Sequence, residues 1–216
     1  MSRPMKILRK RFVVFCEGDT EYNYIDKMRC KQGVEVTLKP INMGGGGYSA
    51  FLQRIKTEPF NNCIAKFIII DADRLSKHPG EKIKFMELVD YCRRENKKQS
   101  IPYILIVDNP DFEYVACLHS EEFKNQPVDR FIKEVFHYKS IDTFKSDQNI
   151  YEFLNSDNRS YQHMLEKCKK QKKYLMNECK REKRSFSVSV KNTIIEKDNL
   201  SNKGTNIDEF FSIIDW

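Results

Sequence analysis

The stretch IAKFIIIDADR, residues 64–74, decides how the rest of the chain is read. Seven residues, Ile64 to Ile70, form an apolar run interrupted only by Lys66, and the run stops at Asp71 and Asp73. A continuous apolar run of this length, without polar alternation, predicts a strand buried on both faces. Two others match it: FVVFC at 12–16, followed by EGDTE, and YILIV at 103–107, followed by DNPDFE. Between them lie segments with helical spacing, at 20–31, 48–56 and 81–96, the last with Ile83, Met86, Val89, Tyr91 and Cys92 as its apolar positions. VEVTL at 34–38 alternates like a further strand. Buried strands separated by helices predict an α/β fold with a mainly parallel, Rossmann-like sheet flanked by helices. Right-handed crossovers then bring the strands' C-terminal ends to one edge, where such sheets bind ligands.

The second half has a different texture. Short helices are expected at 127–137 and 149–154, one long helix over 158–184, an edge strand at SFSVSV (185–190) and a terminal helix at 208–214. The expected organisation is a core over 10–125 and a mostly helical extension over 126–216, packed as one body.

Composition bounds the function. The 216 residues include 15 Phe and 10 Tyr, ample for a core, and 32% are charged. No apolar run approaches a membrane span, and MSRPMKILRKRFVVFCEG has too short an apolar stretch for a signal peptide, so no membrane association is expected. Seven cysteines without C-x-x-C spacing fit a reducing, cytoplasmic setting. The net charge of +7 is concentrated in residues 158–184, which hold ten Lys/Arg against three Glu. The long helix carries Lys169, Lys170, Lys172, Lys173, Lys180 and Arg181 beside an apolar stripe of Tyr161, Leu165, Cys168, Leu175 and Cys179. A basic helix on a neutral body suits a nucleic-acid backbone; a solvated helix face is the competing reading.

Three strands end in acid: Glu17 with Glu21 close behind, Asp71 and Asp73, and Asp108 followed by Asp111 and Glu113. In D-A-D, strand alternation would put Asp71 and Asp73 on one side. Clustered carboxylates repel one another unless a cation intervenes, and hard ions such as Mg²⁺ or Mn²⁺ take oxygen ligands of this kind. Such a site suits phosphoryl chemistry. The competing reading makes these acids helix caps: Asp19 or Thr20 for the first helix, and Asn109 with Pro110 at N1 for the later one, with Asp111 complementing the helix dipole. Arg74 could meet a substrate phosphate or only its acidic neighbours, and GGGG at 44–47 could cradle phosphate or simply turn the chain. His119, six residues after Glu113, falls nearer Phe112 and Val115 than the acids.

CEGDTEYNYI, IIIDADR and DNPDFEYVACLH together resemble the signature blocks of the RloB family, whose core is similar to the Toprim domain; HYKS and GTNIDEFFSII extend the resemblance over most of the chain. The resemblance implies a metal site with Glu17 as the first acid and Asp71 and Asp73 as the metal-binding pair. It implies supporting roles for Glu21 and Glu113, and gives His119 and Asp108 places around the site. The family usually has serine where Asp108 stands. It also implies a Mg²⁺- or Mn²⁺-dependent nuclease acting on DNA or RNA, tRNA included, in phage-defence and restriction-modification settings. Toprim relatives often work beside an ABC- or AAA-type ATPase, so a conditionally active or non-catalytic subunit is the alternative expectation.

Overall fold

The computed structural model describes residues 10–31, 36–44, 46–58, 62–78, 80–98, 101–181 and 203–216. The elements run β1 (Lys10–Cys16), α1 (Asp19–Arg29), β2 (Val36–Asn42), α2 (Gly47–Thr57), β3 (Ala65–Asp71), α3 (Asp73–Lys77), α4 (Glu81–Lys97) and β4 (Tyr103–Asn109). They continue with α5 (Phe112–Cys117), α6 (Val128–Glu134), α7 (Ile141–Lys145), α8 (Ile150–Leu154), α9 (Tyr161–Arg181), β5 (Gly204–Thr205) and α10 (Ile207–Ile214). The strand order is β2-β1-β3-β4-β5. The first four strands are parallel and β5 pairs antiparallel with β4. The α/β fold with a mostly parallel sheet flanked by helices is therefore as the apolar runs predict.

Alternation along the strands divides the core. Phe12, Val14 and Cys16 of β1, with Phe67, Ile69, Ile104 and Ile106, face one way and meet Tyr24, Ile25 and Met28 of α1 and Phe210 and Phe211 of α10. Val13, Phe15, Ile68, Ile70, Leu105 and Val107 face the other way, against Tyr48, Phe51 and Ile55 of α2 and Phe85, Leu88 and Val89 of α4. A sheet covered on both sides has no polar side to show, which is why its strands read as unbroken apolar runs. Truncating one of these buried phenylalanines costs about 3–5 kcal/mol in lost transfer free energy and cavity.

Several local expectations need correction. Ile64 lies outside β3 and is 52% exposed, and Ile83 is 68% exposed because α4 turns Phe85 and Leu88 inward instead. β2 runs to Asn42, further than alternation in VEVTL suggests, and carries Pro40 opposite Val14. Being outermost, β2 can hold a residue that donates no ladder hydrogen bond. The first helix is capped by Gly18 and not by Asp19 or Thr20. The cap of α5 is Asp111, whose Oδ1 accepts from Tyr114 N at 2.9 Å, while Asn109 still belongs to β4. SFSVSV lies outside the described residues.

The second half is joined to the sheet. Asn206, just after β5, accepts from Val107 N at 2.8 Å and donates to Leu105 O at 3.0 Å, continuing the β4 edge through an amide side chain. α10 then buries Ile207, Phe210, Phe211 and Ile214.

Candidate functional site

The acids collect where the parallel strands end. Glu17 follows β1, and its N–H still bonds Ile69 O of β3 at 3.2 Å, so the ladder carries it to the rim. Its Oε2 accepts from Asp71 N at 2.7 Å. Asp71 closes β3 in register with Asp108 of β4. Thus residues 54 and 91 positions apart from Glu17 meet it at one edge. Asp71 Oδ1 accepts from Phe112 N at 3.0 Å, at the start of α5, and the Tyr48 hydroxyl donates to Asp71 O at 2.8 Å.

Asp73 is not a strand partner of Asp71. β3 ends at Asp71, Ala72 is buried, and Asp73 opens α3. The alternation argument fails because the chain turns helical one residue too early for it. Asp73 nevertheless stays near enough for its charge to raise the Glu17 carboxyl.

Glu21 and Glu113 complete the cluster from α1 and α5, and both are buried. Glu113 Oε1 accepts from Thr20 Oγ1 at 3.0 Å, and Oε2 pairs with Lys145 Nζ at 3.1 Å. Asp108 is fully buried; Thr205 Oγ1 of β5 donates to its Oδ1, and its Oδ2 is buried without a hydrogen-bond partner among the described residues.

Burial and mutual repulsion set the acidity. Burial, with Asp73 opposing ionisation as well, holds Glu17 up at about 7 against the pull of the Asp71 amide. Burial raises Asp108 to about 7 in spite of the Thr205 hydroxyl. Asp71 is pushed well up by burial and then by Glu21, Glu17, Glu113 and Asp108; Glu21 is pushed up by burial and by Glu113, Glu17 and Asp108. Like charges kept out of water have this effect, and a divalent cation would reverse it.

The donor set is all oxygen, the chemistry a hard divalent ion takes, and Asp108 Oδ2 is a buried oxygen without a hydrogen-bond partner among the described residues. The spacing is a different matter. Among the described residues no three His, Cys, Asp or Glu side chains are arranged to hold a metal ion. Protein donors take the oxygens instead: the Asp71 and Phe112 amides, Thr20, Lys145 and Thr205.

Other residues singled out in the sequence fall further away. Arg74 Nε lies 3.8 Å from Glu81 Oε2. Glu81 also accepts from Lys84 Nζ at 2.8 Å and from the Tyr48 N–H at the start of α2. Gly47 has φ +79°, and a Cβ there would lie 3.0 Å from Glu81 Oε2 and 3.2 Å from Arg74 Nη2. Glycine is needed there for the turn, the second of the two readings of GGGG, and for the close approach of Glu81, whose carboxylate accepts from the N–H at the helix start. His119 is a core residue: Nδ1 bonds Val115 O at 3.2 Å and Nε2 bonds the Tyr24 hydroxyl at 3.0 Å. Burial lowers its pKa to about 4, so it is neutral, and its side-chain hydrogen bonds reach none of the acids.

The basic helix divides by role. Lys169, Lys170 and Lys173 are exposed. Lys172 is tied to α10 through Asp208 Oδ1 at 2.6 Å and Glu209 Oε1 at 3.3 Å, which removes it from the set open to a polyanion. Tyr161 stacks on Phe211 at 5.6 Å, and Cys168 is buried. The side chains of Leu175, Cys179, Lys180 and Arg181 lie outside the described residues.

Sequence reasoning missed Tyr48, Lys145 and Thr205. Thr205 lies in the GTNIDEFFSII segment, but nothing in its neighbourhood marks it as a partner for an acid 97 residues earlier. Only the S-x-x-T capping box of α7, Ser140 with Thr143, could have shown that Lys145 ends a helix. No family model, no curated protein and no solved structure matches the chain.

Proposed function

We propose that this chain is a Toprim-type, RloB-like nuclease that uses Mg²⁺ or Mn²⁺ to hydrolyse phosphodiester bonds in DNA or RNA, structured RNA such as tRNA included. The observation that carries the proposal is the meeting of Glu17, Asp71 and Asp108 at the ends of three adjacent parallel strands, with Glu21 and Glu113 behind them. Carboxylates buried together, where burial and then mutual repulsion oppose their ionisation, cost stability, and this supports a site kept for cation chemistry. In this reading Asp71 and Asp73, with Glu17, would hold the ion, and the chemistry it would supply is polarisation of a phosphate oxygen and acidification of water. Glu17 would complete the site as ligand or, in place of ligation, as general base, and Glu21 and Glu113 would support a second metal or orient water. Exposed Lys169, Lys170 and Lys173 hold the nucleic-acid backbone, with Arg74 between the acids and Glu81.

A second reading, a subunit that becomes active only with a partner such as an ABC- or AAA-type ATPase, draws support from one observation. The carboxylates are engaged by protein donors and are not arranged for a metal as they stand. Activation would then be a release of those donors. The deciding experiment incubates purified protein with labelled DNA and RNA in Mn²⁺ or Mg²⁺, with Asp71→Asn as control. Cleavage lost in Asp71→Asn and in EDTA supports the nuclease; cleavage that persists in excess EDTA refutes it. Silence of the lone chain, relieved by an ATPase that co-purifies with it, selects the second reading.

A further inference from the structure

We propose that the exposed face of α9 is a single-strand binding surface, on which an unpaired base stacks on Tyr174 while lysines from three separate stretches of the chain hold the flanking phosphates. This inference deepens the backbone-contact part of the reading above and rests on it, but it needs nothing from the acid rim. Among the described residues the exposed large hydrophobic side chains are Ile64, Ile83 and Tyr174, and Tyr174, 60% exposed, is the one aromatic. The opposite face of α9 is already packed: Met164 and Cys168 are fully buried, and Tyr161 stacks on Phe211. Helical spacing sets what surrounds the exposed ring. Lys170 and Lys167 precede Tyr174 by four and seven residues and so share its stripe, and Lys173 adjoins it. Among the described side chains of α9, Glu166 is the one acid against Lys167, Lys169, Lys170, Lys172 and Lys173.

Two further cations come from elsewhere. Lys124, in the turn after α5, is exposed and near enough to act on Lys167, whose pKa is lowered by burial and then by Lys124, with Lys170 a smaller cause. Lys203, just before β5, is exposed and places Nζ 5.7 Å over the Tyr114 ring; it and Lys167 both act on Cys117. Gln171 donates to the Tyr114 hydroxyl, and Lys167 to Phe123 O at 3.1 Å, which fixes α9 against α5 and its turn. Like charges gathered from three stretches onto one surface repel one another, and a polyanion relieves that repulsion. Lysine contacts do not distinguish strands, because duplex and single strand both offer phosphates. The ring does. A base within a duplex is stacked on its neighbours, whereas an unpaired base has a face to offer tyrosine, and every base has such a face. The surface should therefore prefer single strands of any sequence, DNA and RNA alike.

The test is fluorescence anisotropy of the full chain in EDTA with labelled oligothymidylate and oligouridylate of about 16 nucleotides, and with a duplex of the same length. Tyr174→Ala should weaken binding of both single strands about tenfold and leave the duplex within about twofold of wild type. Tyr174→Phe, which keeps the ring, should stay within about twofold on every probe. Lys124→Gln with Lys203→Gln should weaken single strand and duplex alike and reduce the salt slope by about 1 to 2. An equal loss on duplex and single strand in Tyr174→Ala, or no loss on either, overturns the proposal. So does a Tyr174→Ala protein that melts well below wild type while binding all probes equally, since the ring would then serve packing within the chain. Strand discrimination by a protein that cuts nothing in Mn²⁺ supports the proposal and counts against the nuclease reading alone. Absence of binding by wild type to every probe overturns the proposal together with the backbone contacts it rests on.

Discussion

Replacing Asp108 with asparagine should stabilise the metal-free protein, and only at neutral to alkaline pH. Asp108 is fully buried, and its carboxyl is raised from 3.8 to about 7, chiefly by burial. A group whose pKa is higher folded than unfolded favours the folded state while it is protonated. That advantage is complete below about pH 4 and is lost as pH rises through about 7. The difference of about three pKa units, at about 1.4 kcal/mol each, sets a ceiling of about 4 kcal/mol. Asparagine keeps an oxygen for the Thr205 hydroxyl and puts an N–H₂ group where Oδ2 has no partner, among carboxylates able to accept. A gain of about 2 kcal/mol at pH 8 is expected, or about 5 °C in melting temperature for a chain of this size. Urea unfolding in EDTA at pH 5 and pH 8 measures it. Equal stability of the two proteins at pH 8, or a gain as large at pH 5, would refute the reasoning.

The same linkage predicts that wild type in EDTA melts lower at pH 8 than at pH 5.5, because Glu17 and Asp108 both ionise near 7, and that millimolar Mn²⁺ narrows the gap; melting curves across pH test this. His119 works in the opposite direction. Its folded pKa is depressed to about 4, so stability falls as pH drops from about 6.5 towards 4, and His119→Gln should flatten that acid limb without changing Mn²⁺ affinity in a titration. Lys169→Gln with Lys170→Gln and Lys173→Gln should weaken nucleic-acid binding and reduce the salt slope by about 2 to 3, as measured by anisotropy over a salt series. Lys172→Gln should instead cost about 1 kcal/mol of stability and leave the slope almost unchanged, since its ammonium is held by Asp208 and Glu209.

The parts of this molecule that announce themselves in sequence are those decided by burial alone. β1, β3 and β4 are unbroken apolar runs because both faces of the sheet are covered, and the acids after them mark the rim. What the sequence hides depends on a single residue of chain geometry or on distant partners. Asp73 looked like a strand neighbour of Asp71, but one early helical turn moves it out of the pleat. Asp111 carries the cap expected of Asn109, since β4 runs two residues further than its apolar stretch. Lys145 and Thr205 reach the acids by folding from 32 and 97 positions away, and a lysine or a threonine has no local pattern that foretells such a contact.

The two-residue strand β5 ties the edge of the sheet to the acidity of its rim. Gly204 and Thr205 pair with Asn109 and Asp108 of β4, and the Thr205 hydroxyl lies on the fully buried carboxylate of Asp108. Displacing that short strand would take the hydroxyl away from the acid and open its flank to water. β5 thereby acts as a latch that bears on the acidity of a residue 97 positions away through a single side chain.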